Sequence, residues 1–234
     1  METNEILEIV RKKVLEDTSG RRALSLRYPL FLPLILGTRR FANNLANSIN
    51  TNLTSKKAVG NKSQAFFDCV IARHSSPLFR KLGDFDQDLL TGKVENLKIA
   101  IDALQGTIIY PNEIFSFWHI VGDTTKKKGY VDGMLLSDGK IVRGIGGGLC
   151  QLSNLLYWLF LHSSVEIVER MHHSRDVFPD NERTIPFGSG ATIFYNLIDL
   201  KVRNTSKYPI QLKLWLSESQ LKGQTADRLC ERKR

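Results

Sequence analysis

The 234-residue sequence has few cysteines and no long hydrophobic run. Its three cysteines (Cys69, Cys150 and Cys230) have no CxxC or HxxxH spacing, which argues against a disulfide framework and a structural zinc site and favours reduced thiols. The apolar stretch at 28–37 has ten residues and two prolines, whereas a membrane-spanning helix needs about 20. Because the N-terminus also lacks the apolar core of a signal peptide, we expect a cytoplasmic protein without a transmembrane helix.

Recognition motifs for nucleic acids are also missing. The sequence has no zinc finger, no aromatic RNA-binding pattern and no basic helix, so we expect no nucleic-acid partner. Its net charge of +9 favours contact with something acidic, or else describes a solvated basic surface. Arginines flank 28–37, which leaves two interpretations: the segment packs on the core, or it lies peripherally on an anionic membrane. No pattern calls for a metal or a cofactor.

The chain divides by pattern into two parts. Residues 1–60 combine an amphipathic helix with an irregular basic and apolar segment, and residues 61–234 form the main domain. In the main domain we predict helices at 63–73, 92–106 and 149–161, a hairpin turning at 137–139, and an antiparallel pair of strands at 191–203 and 209–216. The predicted class is α+β, with an antiparallel sheet packed against a central buried helix that starts at a glycine-rich cysteine turn, and an N-terminal helical and irregular extension.

The segment GIGGGLCQLSNLLYW at 144–158 is the main candidate site. Its glycines Gly146, Gly147 and Gly148 suit a tight turn running into a helix, which places Cys150 in the first helical turn. The unpaired N–H groups and dipole there favour a thiolate and can hold an oxyanion, with Gln151 as a neighbouring amide donor. The alternatives are a packing turn before a buried cysteine, and a phosphate cradle that lacks the usual lysine.

A cysteine nucleophile needs a base, usually a histidine. His173, in VERMHHSRDVFPD, lies 23 residues after Cys150, far enough for the chain to return to the start of the helix. Asp176 and Asp199 are candidates to orient its imidazole, and His119 is a reserve base or a substrate-side group. The alternative is that the His172–His173 pair is solvated or serves packing.

Several motifs together resemble the VanW family. They are GIGGGLCQLSNLLYW, VERMHHSRDVFPDNERTIPFGSGAT, YNLIDLKVRN and EIFSFWHIVGDTTKKKGYVDGM. In longer, membrane-anchored relatives this domain resembles a peptidoglycan L,D-transpeptidase whose nucleophile is the cysteine of GGGxCQ. The resemblance implies Cys150 as nucleophile, Gln151 beside it and His173 as the histidine. Such relatives often carry an Asp where this chain has Gly190, and Asp176 is the substitute candidate.

The resemblance implies a role in peptidoglycan metabolism and the response to glycopeptide antibiotics. The expected reaction is cysteine-dependent acyl transfer on a stem peptide or precursor, with a non-catalytic binding or accessory role for a wall precursor or resistance enzyme as the alternative. Basic side chains near the motifs are candidates to hold a substrate carboxylate or phosphate. They are Arg143, Arg170, Arg175 and Arg183, and their alternative role is ion pairing with Asp176, Asp180 and Glu182.

Overall fold

The computed structural model describes residues 66–79, 87–137, 140–172 and 190–228. The predicted N-terminal helix, the apolar segment at 28–37 and the domain boundary near 60 lie outside these ranges. Within them, no helix combines the length and apolar character that crossing a bilayer requires.

The described chain contains nine strands, three α-helices and one 3₁₀ turn. In chain order these are β1 (Cys69–Pro77), α1 (Gln87–Leu104), β2 (Ile108–Ile109), β3 (Ile114–Ser116), α2 (Phe117–Val121), the 3₁₀ turn (Lys126–Lys128), β4 (Asp132–Ser137), β5 (Lys140–Ile145), α3 (Leu149–Leu161), β6 (Val165–Glu169), β7 (Lys201–Asn204), β8 (Ile210–Leu216) and β9 (Gln220–Asp227).

All the strand pairs are antiparallel, in two sheets and a separate hairpin. The larger sheet has the order β1-β9-β8-β2, the smaller one has the order β3-β7-β6, and β4 pairs with β5. The α+β class is therefore confirmed. The predicted pairing of 191–203 with 209–216 is wrong, because β7 and β8 belong to different sheets. Alternating apolar and polar residues predicted strands in both segments, and each segment contains one, but β8 pairs with β9 through a tight turn that the sequence pattern did not indicate.

Helix α3 runs through the hydrophobic core over the predicted range 149–161. Leu152, Leu156, Leu159 and Phe160 are fully buried, because the helix is apolar on nearly every side. The larger sheet approaches it closely at β9, where a Cβ on Gly223 would lie only 2.7 Å from a methyl carbon of Leu155. A glycine at this point therefore lets the strand reach the helix.

The segment preceding α1 departs from prediction. A helix was expected at 63–73, but Cys69–Pro77 forms the edge strand β1, because its pairing with β9 outweighs local helical preference. Cys69 is disulfide-bonded, so the expectation of reduced thiols is wrong for this residue. Strand pairing places Cys69 opposite Asp227 near the other end of the chain, a proximity that sequence spacing does not reveal. The predicted helix at 92–106 is confirmed as α1, which begins earlier, at Gln87.

Candidate functional site

The glycine-rich turn leads directly into α3, as predicted. Gly146 and Gly148 have φ angles of 75° and 102°, which L-residues with side chains rarely adopt. Gly148 is the N-cap residue, and Cys150 is the second residue of the helix. The prediction that Cys150 occupies the first helical turn is confirmed.

The turn packs closely against β4 and α1. A Cβ on Gly147 would lie 2.2 Å from the carbonyl carbon of Gly133 in β4, and one on Gly148 would lie 2.2 Å from Cγ of Lys93 in α1. The turn is also tied to the hairpin by a 3.0 Å hydrogen bond from Gly146 N–H to the Val131 carbonyl. These contacts give the glycines a packing role in addition to their conformational one.

Two N–H groups at the start of α3 have no partner among the described residues. Gly147 N–H donates to the Gly144 carbonyl, and Gln151 N–H donates to the Gly148 carbonyl. The N–H groups of Gly148 and Leu149 have no hydrogen-bond partner among the described residues. A helix N-terminus leaves such donors unpaired, and they attract anions.

Cys150 forms no disulfide within the described chain, and its half-buried side chain packs against the main core. Its Sγ lies 4.0 Å from the carbonyl oxygen of Ile193, a long contact in which the protonated thiol is the donor. The sulfur therefore lies between the helix N-terminus and the chain segment at 190–193.

Gln151 is oriented toward β1. Its Nε2 donates to Ser76 Oγ (2.6 Å) and to the Pro77 carbonyl (2.7 Å). Its Oε1 is buried and has no partner within the described part of the chain. In this conformation both amide hydrogens serve the end of β1, and the predicted donation to an oxyanion would require Gln151 to release them.

Polar residues on α3 hold the segment at 190–193. Ser153 Oγ donates to the Ala191 carbonyl at 2.6 Å, and Ala191 N–H donates to Asn154 Oδ1 at 2.7 Å. Neither side chain was predicted to belong to the site, although two polar residues within an otherwise apolar helix are a signal that they have partners. Their effect is to set the Ile193 carbonyl beside the sulfur.

Arg170 fixes the same segment from the other side. Its Nε and Nη2 donate to the Gly190 carbonyl at 3.0 and 2.8 Å, and its guanidinium lies 4.6 Å from the centre of the Tyr157 ring. In this structure Arg170 thus bonds a backbone carbonyl.

Two other predicted site residues are described. Arg143 is exposed on β5, and His119 lies on α2, where its backbone N–H donates to Ser116 Oγ.

The remaining predicted site residues lie outside the described ranges. They are His173, Asp176, Arg175 and Arg183, so their catalytic and binding roles stay predictions. The described ranges hold no group of three or more His, Cys, Asp or Glu side chains that could bind a metal ion.

Asp199 is buried and tied to the N-terminus of α2. It accepts hydrogen bonds from Ser116 Oγ (2.6 Å), Trp118 N–H (3.2 Å) and Leu200 N–H (2.8 Å). Burial raises its pKa to about 6, although the bonds from Ser116 and Trp118 and the nearby Lys201 favour the charged form. These bonds give Asp199 a structural role in holding α2.

Comparison with known proteins identifies the domain that carries this site. Residues 92–226 match the family model described as VanW like protein. The chain belongs to the VanW family. It is 33% identical over 209 residues to "Vancomycin B-type resistance protein VanW" of Enterococcus faecalis, covering 88% of this chain and 73% of that protein. It is 31% identical over 118 residues to the uncharacterized protein YoaR of Bacillus subtilis, covering 50% of this chain and 37% of that protein. No solved structure matches the chain.

The VanW match covers nearly the whole site. It begins at Gly92 in α1 and ends at Ala226 in β9, so it includes the glycine turn, α3 and the segment at 190–193. The end of β1, which bonds to Gln151, lies before the first residue of the match. In this VanW-family chain the N-terminus of α3 is therefore the candidate centre.

Proposed function

We propose that this VanW-family protein catalyses cysteine-dependent acyl transfer on peptidoglycan stem peptides, in the vancomycin-resistance setting that the name of its Enterococcus relative states. The observation that carries the proposal is the position of Cys150. It is the second residue of α3, and the N–H groups of the two residues before it, Gly148 and Leu149, have no partner within the described chain.

The electrostatics of this position favour a thiolate. A negative charge in the first turn of a helix gains about 0.3–1 kcal/mol, and up to about 2 kcal/mol where the site is partly buried. Cys150 is half-buried, so solvent screens the interaction less than at the surface. Donors already oriented toward an oxyanion contribute a further few kcal/mol each to the transition state.

The reaction proceeds by two substitutions at one carbonyl carbon. The Cys150 thiolate attacks the carbonyl of a stem-peptide amide, forming a C–S bond and an oxyanion that the N–H groups of Gly148 and Leu149 stabilise. The C–N bond then breaks as a general acid protonates the leaving amine, which yields a thioester. An acceptor amine attacks the thioester and gives a proton to the conjugate base of that acid, so the new amide forms, the C–S bond breaks and the thiolate is released. The family resemblance makes His173 the candidate acid.

A second candidate function is non-catalytic binding of a wall precursor. The contact from Cys150 Sγ to the Ile193 carbonyl favours it, because a hydrogen bond donated by the thiol stabilises the neutral form. On this alternative the glycine turn is a packing element, and its N–H groups bind an anion without chemistry.

Acyl exchange on a synthetic stem pentapeptide distinguishes the two functions. The protein is incubated with the peptide and a labelled amine acceptor, and products are read by mass spectrometry. We expect labelled product from the natural protein and none from Cys150→Ala, with both showing the same thermal unfolding. Peptide binding of equal affinity by both proteins, without product from either, would favour the binding function.

A further inference from the structure

Asn96 is a fully buried amide in the middle of α1 that bonds two separate backbone segments. Its Nδ2 donates to the Gly147 carbonyl at 2.9 Å and to the Val131 carbonyl at 3.0 Å, and its Oδ1 accepts from Val131 N–H at 2.9 Å. Its exposed fraction is 0%. One side chain thus joins α1 to the glycine turn and to the residue just before β4.

The bond to Gly147 orients the peptide group that follows it. A trans peptide is planar, so its C=O and N–H point in opposite directions. Because Asn96 holds the Gly147 carbonyl toward α1, the N–H of Gly148 points away from α1. This N–H is one of the two donors at the start of α3 without a described partner.

Neighbouring backbone leaves Asn96 no alternative arrangement. A Cβ on Gly133 would lie 2.9 Å from Asn96 Nδ2 and 2.6 Å from the Gly147 oxygen. The amide is therefore confined between α1, β4 and the turn. Its two hydrogens and its oxygen each have a backbone partner, so a flipped amide would lose all three bonds.

We propose that Asn96 is a positioning residue of the Cys150 centre, which sets the Gly147–Gly148 peptide so that the Gly148 N–H faces the reacting atoms. This inference rests on the proposed function. Asn96 acts through the peptide group and has no contact with substrate in the proposed reaction.

Asn96→Asp is the direct test. The variant keeps the size of the side chain and the acceptor for Val131 N–H, but replaces two N–H donors by a carboxyl group that supplies at most one donor. We expect the rate of Cys150 alkylation at mildly acidic pH to fall about three- to tenfold, as the apparent pKa of the thiol rises by about half a unit to one unit. Asn96→Ser, which is too short to reach Gly147, should shift the pKa in the same direction.

Asn204→Asp is the matched control. Asn204 is also fully buried, and its Nδ2 donates to the carbonyls of Ile109 and Tyr208, both at 2.8 Å, while its Oδ1 accepts from Ser206 N–H. It lies at the end of β7 and bonds no residue of the turn. The control should lose a comparable amount of stability and leave the pH profile of Cys150 unchanged.

The outcomes separate this inference from the proposed function. If the Cys150 thiol of the natural protein is activated and the pH profile of its alkylation is unchanged in N96D and N96S, the positioning role alone is overturned. An equal shift in N204D, or failure of both Asn96 variants to fold while N204D folds, would also overturn it. An ordinary thiol in the natural protein would remove the proposed function and this inference with it.

Discussion

Substituting Gly147 by alanine tests how tightly the hairpin supports the glycine turn. The added Cβ would lie 2.2 Å from the carbonyl carbon of Gly133, 2.4 Å from its oxygen and 2.6 Å from the nitrogen of Met134. Carbon atoms in contact normally lie about 3.5–4.0 Å apart. All three atoms are backbone, so a side-chain rotation cannot relieve the overlap, and the hairpin has to move away from the turn.

The expected loss of stability follows from this overlap. Overpacking usually costs about 1–3 kcal/mol, and more when the backbone has to shift. Movement of the hairpin would also strain the hydrogen bonds that join Val131 to Gly146 and Asn96. We therefore expect the free energy of unfolding of G147A to fall by at least about 3 kcal/mol.

Gly106→Ala provides the matched control. Gly106 has a φ angle of 79°, and no atom lies within 4 Å of an added Cβ, so only backbone strain of about 1–2 kcal/mol is expected. Urea unfolding followed by tryptophan fluorescence gives both free energies, and alkylation reports the environment of Cys150. G147A should change the alkylation rate, whereas G106A should not. If G147A proves no less stable than G106A, the close packing of turn and hairpin is refuted.

Three further perturbations follow from other parts of the structure. Burial raises the pKa of Asp199 to about 6, so folding favours its protonated form. As pH falls from about 7 to about 4, the natural protein should therefore gain stability relative to D199N, by at most about 3 kcal/mol in the free energy of unfolding. A difference between the two proteins that is independent of pH in urea titrations would contradict this. Burial, and to a lesser extent His162, lowers the pKa of His74, so the unfolded state binds a proton at His74 more tightly and stability falls as pH drops below 6.5. H74F, which retains a ring against Trp158, should therefore lose less thermal stability on acidification than the natural protein. An equal loss would refute a lowered pKa of His74 as the cause. Arg170→Lys replaces the planar guanidinium group by a single ammonium group at the Gly190 carbonyl, so the free energy of unfolding in urea should fall by about 1–2 kcal/mol. An unchanged urea midpoint would show that the two hydrogen bonds contribute nothing to stability.

The sequence predicted the elements whose signals are local. Helix α3 was predicted with its bounds because the glycines precede it and its residues are apolar on nearly every side. The hairpin of β4 and β5 was likewise predicted from alternation and a turn signal. These features depend on residues that are neighbours in the chain, so their pattern is sufficient.

Features that depend on distant partners were missed. Strand β1 was predicted as a helix because its partner β9 lies at the far end of the chain. The short helix α2 was not among the predicted helices, because the buried Asp199 carboxylate that accepts the Trp118 N–H at its start is distant in the sequence. Asn96 gave no signal, because an asparagine within a helix shows its importance only when its backbone partners are known.

Titration of the Cys150 thiol tests directly whether Cys150 is a nucleophile and requires no knowledge of the substrate. The rate of alkylation of Cys150 in the natural protein is measured against pH and assigned by peptide mapping. We expect an apparent pKa well below the free-thiol value of about 8.5, with alkylation continuing in mildly acidic solution. A pKa at or above that value, or a thiol that reacts only after unfolding, would contradict a nucleophilic Cys150.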